Sequence, residues 1–131
     1  MNSTRSATRI GILILATLAA VLAVSPASAK DDRDVRVAGT CTTSSTSKLK
    51  LSPENGRIEV EFEVDQNRNG VAWRVQLFRN GVRVTSTTAT TRGPSGSFEA
   101  RRVVSRAGSP TRIRAVATRA SGERCTARAS F

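Results

Sequence analysis

The chain has 131 residues, 21 Lys and Arg against ten Asp and Glu, a net charge of +11, two cysteines, and neither histidine nor tyrosine. The length suggests a single domain. Without imidazole the usual proton-transfer group near neutral pH is missing, and two thiolates alone cannot close a tetrahedral metal shell. The composition therefore argues against an enzyme and against any cofactor or metal.

The first segment is read as an address rather than as part of the fold. Arg5 and Arg9 are its only charges, residues 10–24 are uncharged and largely apolar, and Ala27-Ser28-Ala29 forms a small-residue exit. A charged start, a short apolar run and an A-x-A cleavage site make up a secretory signal. The apolar run is short for a ~20-residue membrane span. The sequence thus predicts a signal peptide over 1–29, removed to leave a domain over 30–131 with no membrane span. That domain is expected outside the cell or associated with its wall, as a monomer. It keeps 19 of the 21 basic residues and all ten acids, a net charge of +9.

From residue 30 onward the pattern alternates with period two and never takes helical spacing. After a charged leader at 31–34, Val35, Val37 and Cys41 share a parity, predicting a first strand that ends at Cys41. Leu49 and Leu51 mark a short second piece. Residues 57–64 alternate without exception, with Ile58, Val60, Phe62 and Val64 on one face and Glu59, Glu61 and Glu63 on the other. A strand over 71–79 carries Val71, Trp73, Val75 and Leu77. Asn80-Gly81 then signals a type I′ hairpin, because both central residues need φ > 0. That turn pairs Phe78 with Arg83 and Leu77 with Val84. Strands over 82–91, 96–104, 111–119 and 124–131 follow. A three-residue loop at Ser121-Gly122-Glu123 pairs Ala117 with Ala127 and Ile113 with Phe131.

Seven to eight short antiparallel strands separated by regular turn signals predict an immunoglobulin-like or fibronectin-III-like β-sandwich. In an exported protein the two cysteines read as one disulfide, Cys41–Cys125, tying the first strand to the last. Gly39-Thr40-Cys41, Trp73-Arg74-Val75, Asn80-Gly81, Gly96-Ser97-Phe98 and Ser121-Gly122-Glu123-Arg124-Cys125 stand beside an arginine-rich, lysine-poor composition. Together with the signal peptide they make the chain resemble small secreted β-sandwich proteins of high-GC Gram-positive bacteria. The resemblance implies a fold and an address, and no functional residue.

Three motifs with catalytic or metal associations have plainer explanations. Asp65-Gln66-Asn67-Arg68-Asn69-Gly70 matches the first half of a calcium loop. Gln76 then stands where glutamate is needed and Arg68 adds repulsion, so an Asn- and Gly-rich turn is preferred. Ser45-Thr46-Ser47-Lys48 has the S-x-x-K spacing without the partner motifs of penicillin-recognising enzymes. Glu59, Glu61 and Glu63 are expected to be solvated and to meet Arg101 as exposed ion pairs. The Thr85–Thr91 stretch reads as a β-branched edge strand before it reads as a glycosylation tract.

One constellation depends on position. If strands 71–79, 111–119 and 124–131 share a sheet, Arg74, Arg112, Arg114, Arg124 and Arg128 face outward from it, beside Gln76, Phe78, Val116 and Thr126. The other sheet would show the three glutamates, polarising the molecule. Arginine forks suit phosphate and carboxylate groups. The expected partner is an anionic polymer or an acidic protein, and nucleic acid is disfavoured because Phe78 is the only stacking aromatic on the face. A basic surface that merely keeps the protein soluble accounts for the same residues. The alternative function is a protein inhibitor or toxin-like effector acting through the exposed loop at residues 91–96.

Overall fold

A computed structural model of the protein describes residues 33–131. The expected signal peptide lies outside the described residues. Among those described there is no helix, and nine strands follow one another: β1 (Val35–Ala38), β2 (Thr40–Cys41), β3 (Thr46–Glu54), β4 (Arg57–Asp65), β5 (Ala72–Arg79), β6 (Val82–Thr90), β7 (Ser97–Val104), β8 (Arg112–Arg119) and β9 (Arg124–Ser130). They form two antiparallel sheets, β1-β3-β4-β7 and β2-β9-β8-β5-β6.

The core lies between the sheets, so the all-β sandwich expected from the alternation is present. One sheet contributes Leu49, Leu51, Ile58, Val60, Phe62 and Val64, and the other Trp73, Val75, Leu77, Ile113, Ala115 and Ala117, in one apolar cluster. Burying each large member stabilises the fold by about 1.5–3 kcal/mol. A one-residue slip of β4 would turn Glu59, Glu61 and Glu63 into that core, which fixes its register. Trp73 is fully buried, its ring 6.2 Å from that of Phe98, and its indole N–H donates to Gln66 Oε1 at 2.9 Å.

The structure corrects five expectations of detail. The strand count is nine among the described residues, not seven to eight. The expected first strand is two strands, because the chain leaves one sheet and enters the other at Gly39. A Cβ at Gly39 would stand 2.3 Å from Ser47 Oγ and 2.8 Å from Thr126 O, so only glycine lets the backbone pass between β3 and β9. The short piece at Leu49 and Leu51 is a nine-residue strand inside its sheet, paired with β1 on one side and β4 on the other. Asn55 and Gly56, at φ 48° and 76°, close the β3–β4 hairpin with the same two-residue chemistry as Asn80 and Gly81, at φ 47° and 84°.

The other two corrections concern register. A bulge between Leu77 and Phe78 leaves Phe78 opposite Arg83 but sets Leu77 against Thr85 rather than Val84. On the far hairpin, Ala117 pairs with Cys125, Ala115 with Ala127 and Ile113 with Ala129. Gly122, at φ 89°, takes the left-handed third position of the loop, so the loop is 120–122 and Arg119 faces Glu123. Three-residue hairpins place their left-handed residue last. The shift is by two residues, so each side chain keeps its predicted face.

Cys41 and Cys125 are cross-strand neighbours on β2 and β9 and form the expected disulfide, with Cα atoms 4.0 Å apart. It closes a sequence separation of 84 residues. Replacing both cysteines by alanine should lower the unfolding free energy by about 4–5 kcal/mol, read as a fall in the urea midpoint. An unchanged midpoint would show that strand pairing alone holds β2.

Candidate anion-binding face

β9, β8, β5 and β6 lie side by side, and their register assembles the outward residues into rows. One row runs Arg128–Arg114–Phe78–Arg83, one residue from each strand. The next runs Thr126–Val116–Gln76–Ser86, and a third Arg124–Thr118–Arg74–Thr88. All five arginines expected on this face are there, and Arg112 lies beyond the first row, opposite Ser130. Arg83 joins them through its pairing with Phe78, which the Asn80-Gly81 turn already predicts and the bulge leaves unchanged.

Three features shape the face. The Arg114 guanidinium lies 3.8 Å above the Phe78 ring, so the aromatic is half-buried beneath a cation. Val116 is nearly buried although it points outward. Phe78, Arg112, Arg114 and Arg128 border a shallow open depression of about 480 Å³. Among the described residues no carboxylate pairs with Arg74, Arg83, Arg112, Arg114, Arg124 or Arg128. Arg114 and Arg128 stand directly opposite each other across β8 and β9. Like charges in that position are destabilising.

The outer face of the other sheet is different, and it is not the acidic surface that the three glutamates suggested. Lys48, Lys50 and Arg101 flank them on β3 and β7. Arg101 Nη2 lies 2.6 Å from Glu59 Oε1 and 3.4 Å from Glu61 Oε1. Lys50 and Lys48 stand 3.1 Å from Glu61 and Glu63 respectively. Asp34 joins the lattice through Lys50 at 3.7 Å and also pairs with Arg36 at 2.7 Å. The hydrogen bond from Arg101 holds the Glu59 carboxyl below its ordinary range. Each such exposed pair contributes roughly 0–1 kcal/mol. Together they neutralise this face locally, so the uncompensated positive charge gathers on the opposite sheet.

The residues with catalytic or metal associations are engaged in folding contacts. In the 65–70 loop, Asp65 Oδ1 accepts from Asn67 N, Gln66 Oε1 accepts from Trp73, and Arg68 O accepts from Thr91 Oγ1. Asn67 and Gly70 take positive φ, as a tight turn requires. Ser45 and Ser47 of the S-x-x-K stretch are buried. The 91–96 loop is pinned at both ends. Thr91 is buried and exchanges hydrogen bonds with Val71, while Gly96 packs against Arg68 and its carbonyl accepts from Gln66 N. Arg92, Gly93, Pro94 and Ser95 between them are exposed.

Glu123 is a feature the sequence did not signal. It is 2% exposed, beside a hairpin loop where a solvated acid is the ordinary expectation. Arg119 meets its Oε2 through Nη2 at 2.7 Å and Nε at 2.8 Å, and Ser45 N donates to its Oε1 at 3.1 Å. Burial alone would raise its pKa, but hydrogen bonds from Thr43, Ser45 and Arg119 outweigh it and hold the carboxyl at about 2. The pair ties the β8–β9 hairpin to the segment before β3, and Arg119 also lies over the Trp73 ring.

No family model matches the chain, and neither a curated protein nor a solved structure matches it.

Because the folded-state pKa of Glu123 lies below its ordinary 4.5, its stabilising effect is complete above that value. It is lost as the pH falls from about 4.5 toward 2. Glu123→Gln should cost about 2–4 kcal/mol at pH 7 and flatten the acid limb of a stability-against-pH curve. A variant as stable as the parent at pH 7, with the same acid limb, would remove Glu123 from this role.

Proposed function

We propose that the protein is a secreted, non-catalytic binding module, immunoglobulin- or fibronectin-III-like in plan. Its β9-β8-β5-β6 face holds an anionic polymer such as a wall teichoic acid. The observation that carries this reading is the Arg128–Arg114–Phe78–Arg83 row, assembled from four strands with no carboxylate partner among the described residues. A fold that needed only solubility could scatter its charges, as the other sheet interleaves them. Placing two arginines opposite each other costs stability, and a bound phosphate or carboxylate removes that cost. Planar guanidinium forks match those groups bidentately. Export is supported by the amino-terminal pattern and by the disulfide, which persists in oxidising compartments.

The test is retention of residues 30–131 on immobilised cell wall, DNA and a neutral polysaccharide as salt is raised. Beside it runs a variant carrying Arg112→Glu, Arg114→Glu and Arg128→Glu. The parent should bind the anionic matrices and release steeply with salt. On the DNA arm, the slope of log affinity against log salt should fall by about one for each phosphate-contacting arginine removed. Equal retention of parent and variant would reduce the face to a solvated surface.

A second reading has an observation of its own. The 91–96 loop is exposed at its tip and anchored at both ends, which is the rigidity that a protein-inhibitor or effector loop needs. On this reading binding of a protein target survives high salt, and Arg92→Ala with Pro94→Gly abolishes it while the β8 and β9 arginines are dispensable. Release by salt alone excludes it.

A further inference from the structure

The four sheet edges among the described residues are not equally protected. β1 and β2 have four and two residues. β7 carries Glu99, Arg101 and Arg102, and Arg102 points to the core side although it is exposed. Shortness, charge and inward-pointing charge are ways of blocking further strand pairing. β6 has nine residues, and from Val84 through Thr90 none is charged and none is proline. Its only interruption is the bulge near its hairpin end.

The backbone of β6 is also oriented for an additional strand. Thr91 N donates to Val71 O, so position 91 points its polar backbone at the β5 side. Antiparallel ladders alternate. Thr85, Thr87 and Ala89 therefore bond to β5, while Ser86, Thr88 and Thr90 direct N–H and C=O away from the sheet.

Beside this edge the sandwich is open. Two depressions of about 490 and 240 Å³ lie between β6 and β7 and share Thr85 and Arg102. Val84, Ala89 and Ala100 offer half-buried apolar surface along them. Arg79 stands at one end and Glu99 at the other. Arg102 in the middle has no ion-pair partner among the described residues, nor does Arg83 on the outer side of β6.

We infer that β6 is a docking edge for an extended, acidic segment of a partner protein. The segment adds as a strand to the β5–β6 side of the sheet. Main-chain bonds to Ser86, Thr88 and Thr90 supply register. Alternate side chains fall into the β6–β7 cleft, where small apolar groups meet Val84, Ala89 and Ala100 and a carboxylate meets Arg102. Peptide addition to a sheet edge works through this division of labour. Charge selects the occupant. A second copy would bring a further excess of positive charge to the same edge, whereas an acidic strand is attracted to Arg83 and Arg102. This site shares Arg83 with the arginine row and is otherwise separate from the row's arginines on β8 and β9.

The experiment uses a labelled synthetic peptide of alternating valine and glutamate, about ten residues long, with a valine–lysine peptide as control. Binding to residues 30–131 is read by fluorescence anisotropy and by backbone amide shifts. The glutamate peptide should bind, the lysine peptide should not, and shifts should fall on β6 and β7. Thr88→Pro removes an outward N–H without breaking the β5 ladder. Arg102→Glu reverses the cleft charge without touching the backbone, and each change should weaken the peptide at least ~10-fold. The variant with Arg112, Arg114 and Arg128 changed to Glu should keep the peptide, which separates this site from the polymer face. Four results would each overturn the inference: no binding, shifts confined to β8 and β9, undiminished affinity in both single variants, or sedimentation showing that the free protein self-associates through β6.

Discussion

Successive side chains on a strand point to opposite faces, and every feature of this molecule rests on that alternation. In β4 it sends Ile58, Val60, Phe62 and Val64 inward with no exposure at all, and Glu59, Glu61 and Glu63 outward. In β8 it sends Ile113, Ala115 and Ala117 inward and Arg112 and Arg114 outward. A strand cannot change what it shows to water without also changing what it buries. The arginine row therefore inherits its rigidity from the core, since the residues that fix the register of β5, β8 and β9 are the buried neighbours of the arginines.

The two outer faces show what such a scaffold can do with charge. On β3, β4 and β7, basic and acidic residues alternate across strands, and each glutamate of β4 finds a cation within 3.4 Å. Individually these pairs contribute little. Their joint effect is to compensate the β4 glutamates and leave the rows of arginines unpaired among the described residues to the other sheet, where Debye screening over about 8–10 Å leaves neighbouring arginines in mutual contact. Glu123 is the contrasting use of an acid. Buried and hydrogen-bonded, it fixes the loop end of the β8–β9 hairpin, so the arginines of those two strands stay in line.

Much of this was legible in the sequence, and the failures have physical causes. The period-two runs located six of the long strands to within a residue or two, and the faces of Arg74, Arg112, Arg114, Arg124 and Arg128 followed from parity. β3 was under-read because Ser45 and Ser47 occupy core-side positions ahead of Leu49, and small hydroxyls mask an apolar alternation. Pro53 also argues against an interior strand, yet β1 reaches only as far as Leu51, so the proline lies beyond the stretch paired on both sides. Asn55-Gly56 carried the same turn signal as Asn80-Gly81 and was readable. The sheet switch at Gly39 was not, because it depends on how closely Ser47 and Thr126 approach. Nor was the burial of Glu123, which requires Ser45, distant in sequence, to lie against the hairpin. The acidic face was misjudged because Lys48 and Lys50 were not yet placed on a strand beside β4.

The choice of arginine over lysine bears on how the basic face would work. The chain has 18 arginines and three lysines, and Lys48 and Lys50 both sit on the compensated sheet. Every cation on the uncompensated face is a guanidinium. Lysine could supply the same net charge there, but as a strongly hydrated point on a mobile stem. A guanidinium can lie flat on an aromatic ring and still present its N–H edge to an oxyanion, and Arg114 over Phe78 has that geometry. Ordering a long side chain on binding costs roughly 0.5–1.5 kcal/mol, and stacking on Phe78 removes part of that cost before a ligand arrives. Phe78 is thus better understood as the platform that orders Arg114 than as a stacking surface for a base, because the ring face it would offer is already covered. That coverage separates an oxyanion-binding face from the exposed aromatics of single-strand nucleic-acid binders.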